Sequence, residues 1–369
     1  MTRRDFLGTT AAAATGLLLS PALRAGTEPS AAPRLGLLIP RWRGFNLTEL
    51  TGGQRGHAFH ESDFQWMAEW GFNFARLPMS YWAWSDPKDW LKIDEAALKP
   101  VDDAIELGRK YGIHLNLNFH RIPGYCVNRR ELEPYQLFDS PPDAMQRALE
   151  AAVHHWSFFA KRYKDIPNAQ LSFDLFNEPP FMADQSRYVE IAHALIAAIR
   201  AANPMRLIFV DGADIGQTPV MALADEANLI QSTRGYLPKM VSHYTATWVP
   251  ANEFESLEKP TWPMVDKQGV RWDRAKLREE LIAKWQPLVQ RGGAVHVGEW
   301  GCFTQTPHEA CLAWMSDLLA LWKEAGWGWA MWNLRGGFGI VDSNRPDVTY
   351  EEFRGHELDR KMLELLLAN

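Results

Sequence analysis

Hydrophobic and polar positions along this chain alternate between two periods from end to end. Short runs with strand character, bounded by Gly, Pro or polar clusters, occur at Arg43–Leu47, Asn73–Met79, His114–His120, Leu171–Asn177, Arg206–Gly212, Val241–Thr245, Ala294–Trp300 and Trp327–Leu334. Between them lie stretches with the 3.6-residue period of an amphipathic helix. Asp143–Lys164 aligns Met145, Leu149, Ala152, Trp156, Phe159 and Tyr163 on one face, and Asp273–Arg291 opens on a capping Asp, aligns Leu277, Leu281, Trp285 and Leu288, and stops at Gly292-Gly293. Asp94–Tyr111, Gln185–Ala201 and Pro307–Glu324 read the same way, with Pro100 and Pro287 expected to shorten or kink their helices. This alternation has two main solutions, an open doubly wound sheet or a closed barrel. No Gly-rich phosphate loop follows the first strand. A single (β/α)₈ barrel with extended βα loops is therefore expected, and it demands that chemistry gather at the C-terminal ends of the strands.

The polar residues meet that demand. In HLNLNFH, residues 114–120, His114, Asn116, Asn118 and His120 share one strand face while Leu115, Leu117 and Phe119 share the other. An antiparallel strand with a solvated face would also alternate, but the surrounding βα pattern favours a polar ladder inside the barrel. The strand ends carry Arg76, His120, Asn177-Glu178, His243-Tyr244, Glu299-Trp300 and Trp332-Asn333. Each has an ordinary explanation alone; together at one rim they point to a site.

The first residues stand apart from this pattern. TRRDFLGTTAAAATGLLLSPALRA has paired arginines, a modest apolar run and an Ala-rich end, the signature of a twin-arginine export signal cut between Ala22 and Ala32. Ala11–Leu19 is too short for a membrane span of about 20 apolar residues. Residues 1–32 are read as signal and linker, and 33–369 as the barrel domain, exported to the periplasm or beyond. The net charge of −6 comes from interspersed charges with no basic stripe for nucleic acid, and no second segment suggests a membrane in the mature form. A monomer is expected. Cys126, Cys302 and Cys311 form no CxxC spacing; one bridge is allowed and its pairing stays open. The 17 Trp, several in polar segments such as Tyr81-Trp82-Ala83-Trp84, supply flat faces of the kind sugar rings pack against.

The set resembles glycoside hydrolase family five, the cellulase family of retaining (β/α)₈ glycosidases. The likeness runs from GFNL at Gly44 to the last strand and rests on F-N-E-P at Phe176–Pro179 followed by V-G-E-W at Val297–Trp300. It implies Glu178 as acid/base and Glu299 as nucleophile, Arg76 keeping Glu299 ionised, Asn177 on the sugar 2-hydroxyl, His120 and His243 ordering the site, and Trp332 as the floor. It implies a β-linked oligo- or polysaccharide substrate, and with no metal-ligand motif beside the glutamate pair no metal or cofactor is expected. Retaining hydrolysis requires one carboxyl held protonated and one held ionised, which fits two carboxylates in unlike surroundings. One position departs from the family: the usual strand-six His-x-Tyr reads His243-Tyr244-Thr245 here, leaving no phenol two residues after the histidine. If Val241–Thr245 is a strand, Tyr244 points to the helices, and Glu299 must take its second partner from Arg76, a water or another loop such as that of Tyr81. The rival readings are a metal-dependent barrel hydrolase or isomerase using His114, His120, Asp174, Asp211 and His243, though no HxH or HExxH supports it, and a non-catalytic carbohydrate-binding barrel. The segment Ala246–Trp272, with Trp248, Trp262 and Trp272, is long enough to shape a groove or a lid.

Overall fold

The computed structural model describes residues 39–249 and 258–369. The predicted export signal and its linker lie outside them, as does part of the Ala246–Trp272 segment. Eight parallel strands form the barrel: β1 Arg43–Asn46, β2 Phe74–Ser80, β3 His114–Ile122, β4 Leu171–Asp174, β5 Ile208–Asp211, β6 Leu229–Gly235, β7 Ala294–Trp300 and β8 Gly328–Met331. Each pairs with its neighbour in chain order, and β8 pairs with β1 to close the ring. A two-residue return strand, Tyr125–Cys126, folds back on the end of β3. Around the ring pack α1 Glu61–Glu69, α2 Lys99–Tyr111, α3 Pro142–Arg162, α4 Ser186–Ala202, α5 His308–Ala325 and α6 Arg360–Leu367.

Seven of the strand expectations land on these staves, and one does not. Val241–Thr245 is no strand: Lys239–Ser242 is a single helical turn after Pro238, and Thr245 takes a left-handed φ of 55°. The sixth stave is Leu229–Gly235, reading LIQSTRG, with every residue buried. Its run of Gln231, Ser232, Thr233 and Arg234 looks like a loop because both faces are polar: Ser232 and Arg234 join the network inside the barrel, while Gln231 and Thr233 bond the backbone at Val220 and Gly216. The helix expected at Asp273–Arg291 is broken into successive turns of α, π and 3₁₀ geometry, with Pro287 opening the last of them.

Two apolar layers hold the barrel. Between strands and helices, α3 buries Trp156 and Phe159, and Trp156 stacks on Phe119 of β3 with centroids 4.2 Å apart. Burying one such ring contributes on the order of 2–3 kcal/mol. Inside, Trp42, Phe74, Phe209, Ile230 and Ala330 form a floor at the N-terminal end, with Trp42 stacked on His114 at 4.0 Å. Above that floor the inward positions turn polar, so hydrogen bonds must replace apolar packing there. Cys126, Cys302 and Cys311 are all buried free thiols. Among the described residues no helix is long and apolar enough to cross a membrane.

Candidate active site

The strand ends aim their side chains with two irregularities. In β7 the register against β6 slips between Val297 and Glu299, so Val297 faces Thr233 and Glu299 faces Arg234. In β3 the register against β2 slips by one across His120. Bulges of this kind re-aim a side chain at a barrel rim. Gly298 sits at the β7 slip, where a Cβ would come within 2.3 Å of Ser232 Oγ and 2.9 Å of Arg234 Nη1, so any larger residue must displace these side chains.

Two buried arginines organise what these ends present. Arg76 of β2 donates to Asp174 at 2.9 Å, to Asn46 at 3.0 Å, to Glu299 Oε1 at 2.5 Å and to Asn177 Oδ1 at 2.8 Å. Arg234 of β6 donates through Nε to Glu178 Oε1 at 2.9 Å, through Nη2 to Asn177 Oδ1 at 2.9 Å, and through both Nη atoms to Asp211. It also lies 3.6 Å from Glu299 Oε1, so one guanidinium spans both glutamates. With Oδ1 of Asn177 taken by both arginines, its Nδ2, which has no partner among the described residues, is the free donor.

The two carboxyls are held in opposite protonation states. Burial pushes Glu178 up to about 7, helped by the charge of Glu299 and opposed by Arg234. Burial would also raise Glu299, but Arg234 and Arg76 together draw it below the usual carboxylate range. Burial lowers His120 to about 4, so its imidazole is neutral at neutral pH. The ring stacks against Trp332 with centroids 5.6 Å apart.

A cleft of about 420 Å³ opens over this network, and Glu178, Glu299, Arg234, Tyr236, His120, His243 and Trp332 line it. A second cavity of about 480 Å³ adjoins it, sharing Val127 and Ile215, and carries neither glutamate.

The family model for cellulase, glycosyl hydrolase family 5, matches residues 35–337. The chain belongs to glycosyl hydrolase family 5. It is 24% identical over 312 residues to Endoglucanase C of Acetivibrio thermocellus, covering 79% of this chain and 88% of that one. It is 28% identical over 277 residues to Cellodextrinase A of Ruminococcus flavefaciens, covering 72% and 75%. A solved glycoside hydrolase superposes with a TM-score of 0.82 at 35% identity over 89% of this chain and 99% of that one. The protein is thus a cellulase-like O-glycosyl hydrolase that cleaves β-glycosides.

Against the family pattern, the anomaly at strand six dissolves and another replaces it. The phenol near Glu299 is Tyr236, whose hydroxyl donates to Glu299 Oε2 at 3.3 Å. Tyr236 stands at the end of the true β6, and two residues before it sits Arg234 where the family has histidine. Tyr244 is buried and is not among the cleft-lining residues, so its place in the expected site is corrected. Tyr81, the other candidate, donates to Glu133 at 2.8 Å instead. His243 does reach the cleft, but from the turn after β6. It packs in a wall with Tyr236, Phe338 and Trp248 and lies 2.8 Å from Ser242 Oγ through its Nδ1. Sequence reasoning missed Arg234, Tyr236 and the placement of Asp211; the R-G-Y triplet was the available signal. Asp174 and Asp211, considered above as metal ligands, are each bonded by an arginine, and no metal-binding group of His, Cys, Asp and Glu occurs among the described residues.

Proposed function

We propose that this enzyme hydrolyses β-linked gluco-oligosaccharides or polysaccharides with retention, using Glu178 as acid/base and Glu299 as nucleophile. The observation that carries this reading is the pair of glutamates under one guanidinium, one drawn down by Arg76 and Arg234 and the other raised by burial. Retaining glycosidases need such a pair about 5–5.5 Å apart. In the first step a Glu299 oxygen bonds to the anomeric carbon as the glycosidic C–O bond breaks, and Glu178 gives its proton to the departing oxygen. In the second, water attacks the same carbon, Glu178 takes its proton, and Glu299 leaves as a carboxylate.

The remaining residues support those steps. Arg76 and Tyr236 hydrogen-bond the ionised form of Glu299 and so favour it. The Nδ2 of Asn177, buried and without a partner among the described residues, is the donor assigned to a sugar hydroxyl beside the reacting carbon. The indole of Trp332, backed by His120, offers an apolar face for the ring being cleaved. The relatives' names, an endoglucanase and a cellodextrinase, favour β-glucans as the substrate class. The N-terminal pair Arg3-Arg4 and the apolar run after it favour export by the twin-arginine route before action outside the cytoplasm.

The test compares two variants on two leaving groups. Glu178→Gln should lose roughly 10²–10⁴-fold on an unactivated β-glucoside and far less on a 2,4-dinitrophenyl glycoside, whose departure needs no proton. Glu299→Gln should lose activity on both. Equal losses across all four combinations would contradict the assignment.

A further inference from the structure

Each glutamate is held by an arginine, and each arginine is held in turn by an aspartate at the end of another strand. Asp174 of β4 binds Arg76, which binds Glu299; Asp211 of β5 binds Arg234, which binds Glu178. The first chain serves the nucleophile. From the second we infer that Asp211 and Arg234 are a positioning pair that orients Glu178 and sets its proton affinity in the two half-reactions. The inference rests on reading Glu178 as the acid/base.

The geometry grips Glu178 at three points. Its backbone lies in the left-handed region, with φ of 50°, an uncommon place for a glutamate. There its N–H donates to Asp211 Oδ2 at 2.8 Å and its carbonyl accepts from Tyr125 Oη at 2.6 Å. Its carboxyl takes Arg234 Nε at 2.9 Å. Asp211 therefore fixes both the main chain of Glu178 and the arginine that fixes its side chain. A non-glycine residue persists in such a conformation only when its surroundings over-determine it.

Electrostatics explains why the arginine cannot stand alone. A guanidinium this close lowers a carboxyl by about one to three pH units, which would leave Glu178 ionised and unable to donate. Asp211 on the other edge of the same guanidinium offsets that pull. The charged and titratable groups facing Glu178 are Arg76 from β2, His120 from β3, Tyr125 from the return strand, Asp211, Arg234 and Tyr236 from β5, β6 and its end, Glu299 from β7, and Lys239 and His243 across the cleft. Within the buried network, leaving aside Lys239 at the cleft wall, two guanidiniums, Arg76 and Arg234, meet three carboxylates, Asp174, Asp211 and Glu299, before Glu178 ionises. Once Glu299 is esterified that excess is gone. Arg234 then favours the ionised Glu178 that the second step needs as a base.

The test is the pH profile of kcat/KM on an unactivated aryl β-glycoside. Asp211→Asn, nearly isosteric, should move the basic limb down by about one pH unit; Arg234→His, which installs the family's usual residue, should move it up by about as much. Arg234→Lys, keeping the charge, should return it toward the native position. A purely structural role predicts lower rates with no movement of the limb. Limbs that stay put, or that move the same way in Asp211→Asn and Arg234→His, overturn the proposal. Because the two shifts have independently predicted signs, one folded variant decides if the other fails to fold. Glu178→Gln run alongside separates the failures: if it discriminates between leaving groups while the limbs stay fixed, only the positioning pair is wrong.

Discussion

Replacing Tyr236 by phenylalanine tests the corrected end of β6. The hydroxyl donates to Glu299 Oε2 at 3.3 Å, longer than the usual 2.5–3.0 Å for O–H···O. Burial, with the charges of Glu299 and Glu178, pushes this phenol well above the ordinary tyrosine value, so it stays protonated and acts as donor. A hydrogen bond to a charged group contributes about 1.5–3 kcal/mol, and the length argues for the lower end. About 1.4 kcal/mol is tenfold in rate, so Tyr236→Phe should cost roughly tenfold in kcat/KM at pH 6. Arg76 at 2.5 Å remains on the other oxygen, which is why activity should survive. Losing a donor to the ionised form raises the Glu299 carboxyl, so the acidic limb of the profile should move up. Tyr244→Phe, off the cleft, should change kcat/KM by less than about threefold, since substitutions away from the reacting groups act mainly on stability. A tenfold loss in Tyr244→Phe with Tyr236→Phe unaffected would refute the register described here.

Three further outcomes follow from the same network. The native profile should be bell-shaped: activity rises as Glu299 ionises, at a pH below the usual carboxylate range, and falls as Glu178 loses its proton near 7, read from kcat/KM across pH 3–9. Arg76→Met leaves Asp174 buried without its cation and Glu299 with Arg234 alone at 3.6 Å, which should cost about 3–5 kcal/mol by urea unfolding and move the acidic limb up. Gly298→Ala forces a methyl against Ser232 and Arg234; a loss of about 1–3 kcal/mol with activity falling more than stability alone explains is expected, measured by the same unfolding and by kcat at saturation.

The barrel was legible because its outward faces are apolar and its helices are amphipathic, so period and punctuation marked most staves. Its sixth stave was not, for the reason that makes the site work. Ser232 and Arg234 point into the polar network, while the outward Gln231 and Thr233 bond the backbone at Val220 and Gly216, so β6 lacks the apolar outer face that made β3 readable. Val241–Thr245 has a β-branched residue at each end and an aromatic between them, yet Pro238 and the turn after it shape it into a helical turn. Glu178 and Glu299 were legible from their motifs. The bulge that aims Glu299 was not, because a register shift leaves no mark in composition beyond the glycine that permits it. Asp211 read as a possible metal ligand because a carboxylate's partner depends on what the fold brings beside it, here an arginine on the adjoining strand.

The most direct test of the central claim is to trap the intermediate. Incubation with a 2,4-dinitrophenyl 2-deoxy-2-fluoro-β-cellobioside, followed by proteolysis and mass spectrometry, should yield a single glycosyl adduct on the peptide containing Glu299, with one equivalent of dinitrophenol released per enzyme. An adduct on Glu178, or steady turnover to a product of inverted configuration with no adduct, would contradict the account.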